Sequence, residues 1–370
     1  MIGFVADIHA GNHKVHGGTS TLSMNERCHK IIEVLRCAVA EVVSHGGDTL
    51  VIGGDLFDNE TPTPQMCDAI ANALSGIGHT IVILGNHERV SSKSGDHAIG
   101  WLDHLGAVEV IETPTLLGLG DCGIGYMVPF QEGDPKGWLP AALDKLTARA
   151  AGVDLPRSLY IHLGLRGPAE RTNKWAAEAT DAIDVELLEE LCVQHGITNV
   201  FAGNWHSFAQ HVFDKVVLTQ VGALVPTGYD NPGLIGYGGV VLLDRTDAVV
   251  RLEIPGPRFV KVGTVADLHA IPLPVPELYV RCVCLPKEAQ AAHAYLEDAL
   301  EDRAIKAYEI QLDETEAKEG ARVAARSARD TDTLAAALDV YVDELSWPAV
   351  GVTGDSVKRR CRGFLDMGVL

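Results

Sequence analysis

The chain has 370 residues, of which 46% are hydrophobic and 22% charged, enough to bury an extended core over two to three domains. Thirty basic against fifty acidic residues give a formal charge of −20, which repels nucleic acid unless cations or a partner intervene. The opening run MIGFVADIHAG is cut by Asp7 and lacks the basic start of a signal peptide, and no window reaches the ~18 apolar residues of a membrane span. No membrane role and a cytoplasmic location are expected. The eight cysteines (28, 37, 67, 122, 192, 282, 284, 361) form no CxxC pair, so reduced core thiols are expected rather than disulfides.

In chain order, the first predicted strand is IGFVADIH (2–9). An amphipathic helix follows from Met24 to Val43, with Cys28, Ile31, Ile32, Leu35, Val39 and Val42 at helical spacing. TLVIGGDLFD (49–58) is the second strand, Gln65 to Leu74 a helix, and TIVILGNHE (80–88) the third strand. SLYIHLG (158–164) and TNVFAGNWH (198–206) are the fourth and fifth. Nearly continuous apolar strands alternating with helices predict an α/β fold whose buried, largely parallel sheet is covered by helices. In such sheets ligands bind at the strand carboxyl ends.

After about Arg251 the texture changes, with prolines 255, 257, 272, 274 and 276 marking linker and turns. ELYVRCVCLP (277–286), a helical run from Lys287 to Asp302 and AIKAYEIQL (304–312) predict a small strand–helix–strand domain. Glu314 to Asp332 is charged. Beyond it, Leu334, Leu338, Tyr341, Val342 and Leu345 form one apolar stripe, and Val357, Cys361, Phe364 and Leu365 another. This terminal helical pair either docks a partner or packs back onto its own chain.

Each of the five strands ends in candidate ligands: Asp7-x-His9, Gly54-Asp55-x-x-Asp58, Gly85-Asn86-His87-Glu88, His162 and His206. One strand-end histidine is ordinarily structural. Five such ends in order point to one pocket. Asp7 and His9, two apart in a strand, face the same side and can grip one cation. Carboxylate oxygens mixed with imidazole nitrogens suit manganese, iron or zinc better than calcium.

The order DxH, GDxxD, GNHE, H, GxxH resembles the calcineurin-like metallophosphoesterase superfamily over residues 1–250. The resemblance implies a four-layer sandwich, two mixed β-sheets flanked by helices, for a catalytic domain of residues 1–255. It implies a two-metal site in which Asp7, His9 and His206 hold the first ion, Asp55 bridges, and Asn86 and His162 hold the second. A hydroxide shared by ions about 3.5–4 Å apart would attack phosphorus in line. His87 would protonate the leaving oxygen, with Asp58 holding its ring as imidazolium.

At finer grain, ADIHAGN, GGDLFDN, GNHERVSSKSGDHAIGWLDHLGAVEVI and DAIDVELLEELCVQHGITNVFAGNWH are most similar to SbcD-type nuclease subunits of double-strand-break repair. RFVKV (258–262) is similar to the linker into their capping domain. That similarity implies a manganese-dependent DNA exonuclease and endonuclease of repair or recombination, with magnesium, iron or zinc as alternative metals. It also implies a small α+β capping domain (256–315) that contacts DNA, a C-terminal helical pair (330–370) that docks on an SbcC-type ABC ATPase, and a homodimer through the catalytic domain. Other readings stay open: a small-substrate phosphodiesterase or protein phosphatase, or a weakly active scaffold that binds DNA ends. Protein phosphatases place an arginine-glycine pair after the second acid of GDxxD, whereas Asn59 and Glu60 stand here.

One position departs from the pattern. Relatives carry GHxH where this chain has Gly203-Asn204-Trp205-His206. Asn204 either coordinates a looser second ion through its amide oxygen or hydrogen-bonds behind a water that completes the site. Trp205 either stacks on a base or sugar or packs inside. Arg166, Arg171 and Lys174 form a local basic patch that could meet phosphates. His13 and His16, in GNHKVHGG, line either the substrate groove or a solvated loop.

Overall fold

The computed structural model describes residues 1–313 apart from 15, 22, 89–96, 107, 173, 230–237, 247, 272 and 274–276. The charged stretch from 314 and the terminal helical pair expected over 330–370 lie outside the described residues. The chain divides into two compact units, Met1–Arg258 and Phe259–Leu370.

The first unit holds two six-stranded mixed sheets. One runs, edge to edge, Val249–Glu253, Gly239–Leu243, Ile2–Val5, Thr49–Ile52, His79–Ile83, Val108–Ile111. Its last four strands are parallel, with Ile2 opposite Thr49 and Ile52 opposite Val82. The other runs Ala209–Val212, Val217–Gln220, Asn199–Gly203, Arg157–His162, Ile124–Val128, Thr115–Gly118. Its four central strands are parallel and its two edges antiparallel. The single largely parallel sheet expected from strand texture is therefore two sheets. The five strand ends divide between them, three on the first and two on the second.

Alternation of side chains along each strand builds four layers. Phe4, Val51, Ile81 and Ile83 of the first sheet face Met127, Tyr160 and Phe201 of the second in one buried cluster. Tyr160 stacks on Phe201 with centroids 5.1 Å apart, and Phe4 lies 5.7 Å from each. The opposite residues of the first sheet, Val5, Leu50, Ile52 and Val82, pack on the helices Glu26–Ser44 and Pro64–Leu74. On the outer side of the second sheet, Leu159, Ile161 and Val200 pack on Pro135–Arg149 and Val185–His195. These helices start where their sequence says they should. Asn25, Thr63 and Asp134 each accept a backbone N–H as N-cap, and Pro64 and Pro135 stand at the first helical turn.

The second unit carries a three-stranded sheet ordered Arg258–Val262, Leu278–Cys284, Ala307–Leu312. The last two strands are parallel, so the chain must cross over between them, and the helix Ala289–Glu301 makes that crossing. Val262, Leu268, Val280, Cys282, Ala292 and Leu296 form its own core. The seven described cysteines are free thiols. Among the described residues no helix is long and apolar enough to cross a membrane.

Candidate metal centre

The strands ending at Val5, Ile52, Ile83, His162 and Gly203 deliver their polar continuations to one pocket. Beyond the strands the pairing continues through the loops, with Asp7 N–H on the Gly54 carbonyl at 3.2 Å, His9 N–H on Asp55 at 2.9 Å and Ala10 N–H on Leu56 at 2.9 Å. Across the second sheet Gly203 pairs with His162. Four of the candidate ligands take left-handed backbone: Asp7 (φ 51), His9 (φ 48), Asp55 (φ 52) and Asn204 (φ 79). Two glycines permit the close approach. A Cβ on Gly54, itself at φ +92, would sit 2.2 Å from His162 Nδ1, and one on Gly85 would sit 2.1 Å from Asp55 Oδ1.

Among the described residues, three groups bring their donor atoms within 4.8 Å of one another: Asp7 with His9 and His206, Asp7 with Asp55 and His162, and His9 with Asp55 and His87. His9 Nε2 lies 3.0 Å from His206 Nε2 and 3.7 Å from Asp55 Oδ2. His162 Nε2 lies 3.4 Å from Asp55 Oδ2 and 2.9 Å from the Asn86 side-chain oxygen. The Gly53 carbonyl, which can only accept, takes the Nδ1 proton of His162 at 2.6 Å and so leaves Nε2 as the donor atom.

Whether these residues fit divalent cations can be tested on their own bonding. Asp7 Oδ2 is buried with no hydrogen-bond partner, an arrangement that costs about 1–3 kcal/mol unless something positive meets it. Burial raises Asp7 to about 6, against the pull of His162. Burial also works against the Asp55 charge, but the His162, His9 and His87 imidazoles hold that carboxyl below the usual carboxylate range. Burial disfavours the charged His162 ring, yet the Asp55 and Asp7 carboxylates raise it to about 10. The Asp55 carboxylate thus stands among the His9 and His162 imidazoles, with the Asp7 carboxylate in the same cluster. The residues fit: clustered carboxylates, imidazoles aimed through Nε2, and a buried oxygen lacking a partner.

His87 and Asp58 stand differently from the expectation. His87 Nδ1 donates to the backbone carbonyl of Asp58 at 2.9 Å, not to its carboxylate. That carboxylate instead faces His9 Nδ1 at 3.6 Å and His13 Nδ1 at 3.9 Å. Asp58 therefore holds His87 through its main chain and orients His9 through its side chain. Burial lowers the charged form of His87, but the Asp55 carboxylate, the Asp58 carbonyl and the Asp58 charge raise it above the ordinary histidine range.

Two expected substrate contacts are corrected. Trp205 is 5% exposed and packs with Ala176 and Ala182, so its ring has no face to offer a base. Arg166 is consumed locally: Nε donates to Ala176 O at 2.9 Å, Nη2 to Ala179 O, and Nη1 reaches Asp184 Oδ1 at 3.4 Å. Arg171 pairs with Asp184 and Glu186. The expected basic patch is thus largely neutralised. His13 donates to the His9 carbonyl at 2.9 Å, and His16 bonds the Tyr229 hydroxyl at 2.6 Å, which ties this loop to the pocket wall.

The sequence reading gave Glu88 no role of its own and missed Asp181. Glu88 is fully buried and accepts the backbone N–H groups of Gly85 (2.8 Å), Phe57 (3.1 Å) and Asp55 (3.2 Å). Burial and the Asp55 charge push it up to about 7. Its signal was present as the last letter of GNHE. Asp181 accepts the Asn204 side-chain amide at 2.9 Å, and no local pattern marks it.

A family model described as calcineurin-like phosphoesterase matches residues 1–208. No curated protein sequence matches the chain. Similar solved structures include a protein of Thermus thermophilus, 14% identical, covering 69% of this chain and 98% of that one at a TM-score of 0.43. A dimetal phosphatase of Danio rerio is 11% identical, covering 69% and 98% at 0.40. A phosphopantetheinyl hydrolase of Mycobacterium tuberculosis is 14% identical, covering 60% and 88% at 0.37.

Proposed function

The chain belongs to the calcineurin-like phosphoesterase family, and from that premise we propose that this metal-dependent phosphoesterase is a DNA nuclease of the SbcD type. In this reading it is an exonuclease and endonuclease subunit of DNA repair or recombination, dimeric through its first unit and partnered by an SbcC-type ABC ATPase. Asp7, His9 and His206 would hold one cation, Asn86 and His162 the other, and Asp55 would lie between both. Manganese is the proposed metal. Bound divalent cations supply an acidified water and neutralise the phosphoryl oxygens.

The remaining work falls to side chains. Asp58 steadies His9 from behind, and the Gly53 carbonyl keeps the His162 donor atom turned inward. The Asp58 carbonyl pins His87 at Nδ1, leaving Nε2 to give its proton to the departing sugar oxygen. The Asp55 carboxylate and the Asp58 carbonyl at Nδ1 favour the ring form that carries that proton.

The observation that carries the nuclease reading is the continuation of the chain past the phosphoesterase unit into a second α+β unit with its own core. The test uses the full chain with manganese or magnesium on linear duplex and single-stranded DNA, beside a chromogenic phosphodiester. Degradation of DNA supports the reading. Cleavage of the chromogenic ester alone makes the protein a small-substrate phosphodiesterase, and silence on both with tight DNA binding makes it a scaffold.

A further inference from the structure

The segment between the Arg157–His162 and Asn199–Gly203 strands takes no part in the chemistry above, although it is braced against the pocket. Gly164–Arg166 and Ala182–Asp184 pair as two short parallel strands. Arg166 ties down Ala176, Ala179 and Asp184. Trp205 fills the space over Gly164, where a Cβ would come within 2.4 Å of its ring. The Gly164 N–H bonds the Asp181 carbonyl at 3.0 Å. The product of this bracing is a fixed Asp181.

Asp181 touches Asn204. The Asn204 amide nitrogen donates to both the Asp181 carbonyl (3.2 Å) and its carboxylate (2.9 Å). A carbonyl and a carboxylate accept only, so the nitrogen end must face them; a flipped amide would set oxygen against two acceptors. Both amide protons are spent. The Asn204 backbone N–H meanwhile holds Asp7 Oδ1 at 3.0 Å, which places the residue at the pocket, next to Gly203 and its sheet partner His162.

We propose that Asp181 is a positioning residue that locks Asn204 with its amide oxygen toward the cation held by Asp55, Asn86 and His162. The proposal rests on the metal-centre reading above. It makes the two positions chemically unequal. With Asp55 shared by both, Asp7, His9, His206 and Asp55 offer two oxygens and two nitrogens, whereas Asp55, Asn86, Asn204 and His162 offer three oxygens and one nitrogen. Oxygen-rich sets favour manganese and magnesium, and imidazole-rich sets hold zinc well. The second position is therefore the one that discriminates for manganese.

The experiment is calorimetric titration of the metal-free full-length protein with manganese and with zinc, backed by manganese electron paramagnetic resonance. Circular dichroism checks the fold of each variant. Wild type takes two manganese ions of unequal affinity. Asp181→Ala weakens the looser ion about 10–100-fold and leaves the tighter one unchanged. Asp181→Asn, which keeps an acceptor, stays near wild type. Asn204→Gly, which tolerates the positive φ, falls like Asp181→Ala, and Asn204→His raises zinc affinity at the second position. Two ions bound as in wild type by both Asp181→Ala and Asn204→Gly would overturn the proposal alone. A wild type that binds no divalent cation would sink the metal-centre reading as well.

Discussion

Replacing Glu88 by alanine tests whether the pocket is held by a residue that need not touch a ligand. Its carboxylate is the acceptor for three backbone N–H groups, those of Asp55, Phe57 and Gly85. Each buried donor left without a partner costs about 1–3 kcal/mol. Loss of the buried carboxylate relieves some of its own desolvation, so the net expectation is about 3–6 kcal/mol. That is a large share of the roughly 5–15 kcal/mol that holds a domain folded. With a urea slope of about 3 kcal/mol/M the midpoint falls by about 1–2 M. Tryptophan fluorescence reads the transition, since four of the five tryptophans, Trp101, Trp138, Trp175 and Trp205, belong to the first unit. Glu88→Gln keeps one carbonyl oxygen and turns an amide nitrogen toward a backbone donor, so it loses about 1–3 kcal/mol. A midpoint for Glu88→Ala within about 0.3 M of wild type, about 1 kcal/mol at that slope, refutes the reasoning.

The other expectations are narrower. Gly54→Ala forces a Cβ onto His162 Nδ1 at a φ of +92 and should drop bound manganese from two ions to one by elemental analysis. His87→Ala should lower turnover by about 10²–10⁴ with metal content unchanged, because it removes only the proton donor. Arg166→Ala should cost about 1–3 kcal/mol of stability and leave DNA affinity unchanged at matched salt, since its guanidinium is spent inside the protein. Asp7→Asn keeps the acceptor for Asn204 N–H and removes a buried carboxylate charge. It should lose most of the thermal stabilisation that manganese gives wild type, about 5–10 °C at a hundredfold excess over Kd, and an unchanged manganese shift in a melting assay would refute it.

The clustering of the candidate ligands was legible because chemistry-bearing residues follow apolar runs. TLVIGGD and TIVILGN announce a buried strand and then stop it at a polar residue, which fixes Asp55 and Asn86 at a strand end without further information. The strands themselves look alike, however. Phe4, Tyr160 and Phe201 sit in one cluster because two sheets face each other, and nothing in IGFV or SLYIH says which sheet each joins. Side-chain direction in loops was likewise hidden: Asp58 turns its carboxylate to His9 and gives His87 only a carbonyl. Arg166 and Trp205 carry surface-like letters beside the site, yet the short Gly164–Arg166 and Ala182–Asp184 pair folds over them. Asp181 lies 23 residues from Asn204, a separation that no local spacing rule spans.

The left-handed residues explain why so much of the surrounding network is polar and buried. Asp7, His9, Asp55 and Asn204 all occupy φ values of 48 to 79, where a residue with a side chain costs about 1–3 kcal/mol. Glycine would remove the strain and also the donor atom, so the positions must keep their side chains. The strain is held instead by bonds to backbone: Gly54 and Asp55 carbonyls on Asp7 and His9, Glu88 on Asp55, and Asp7 on Asn204. Donors fixed in this way need no rearrangement when a cation arrives, which favours binding by sparing the ordering of each side chain. On this account metal affinity should fall when Gly54, Gly85, Glu88 or Asp181 is replaced, although none of the four is proposed to touch the ion.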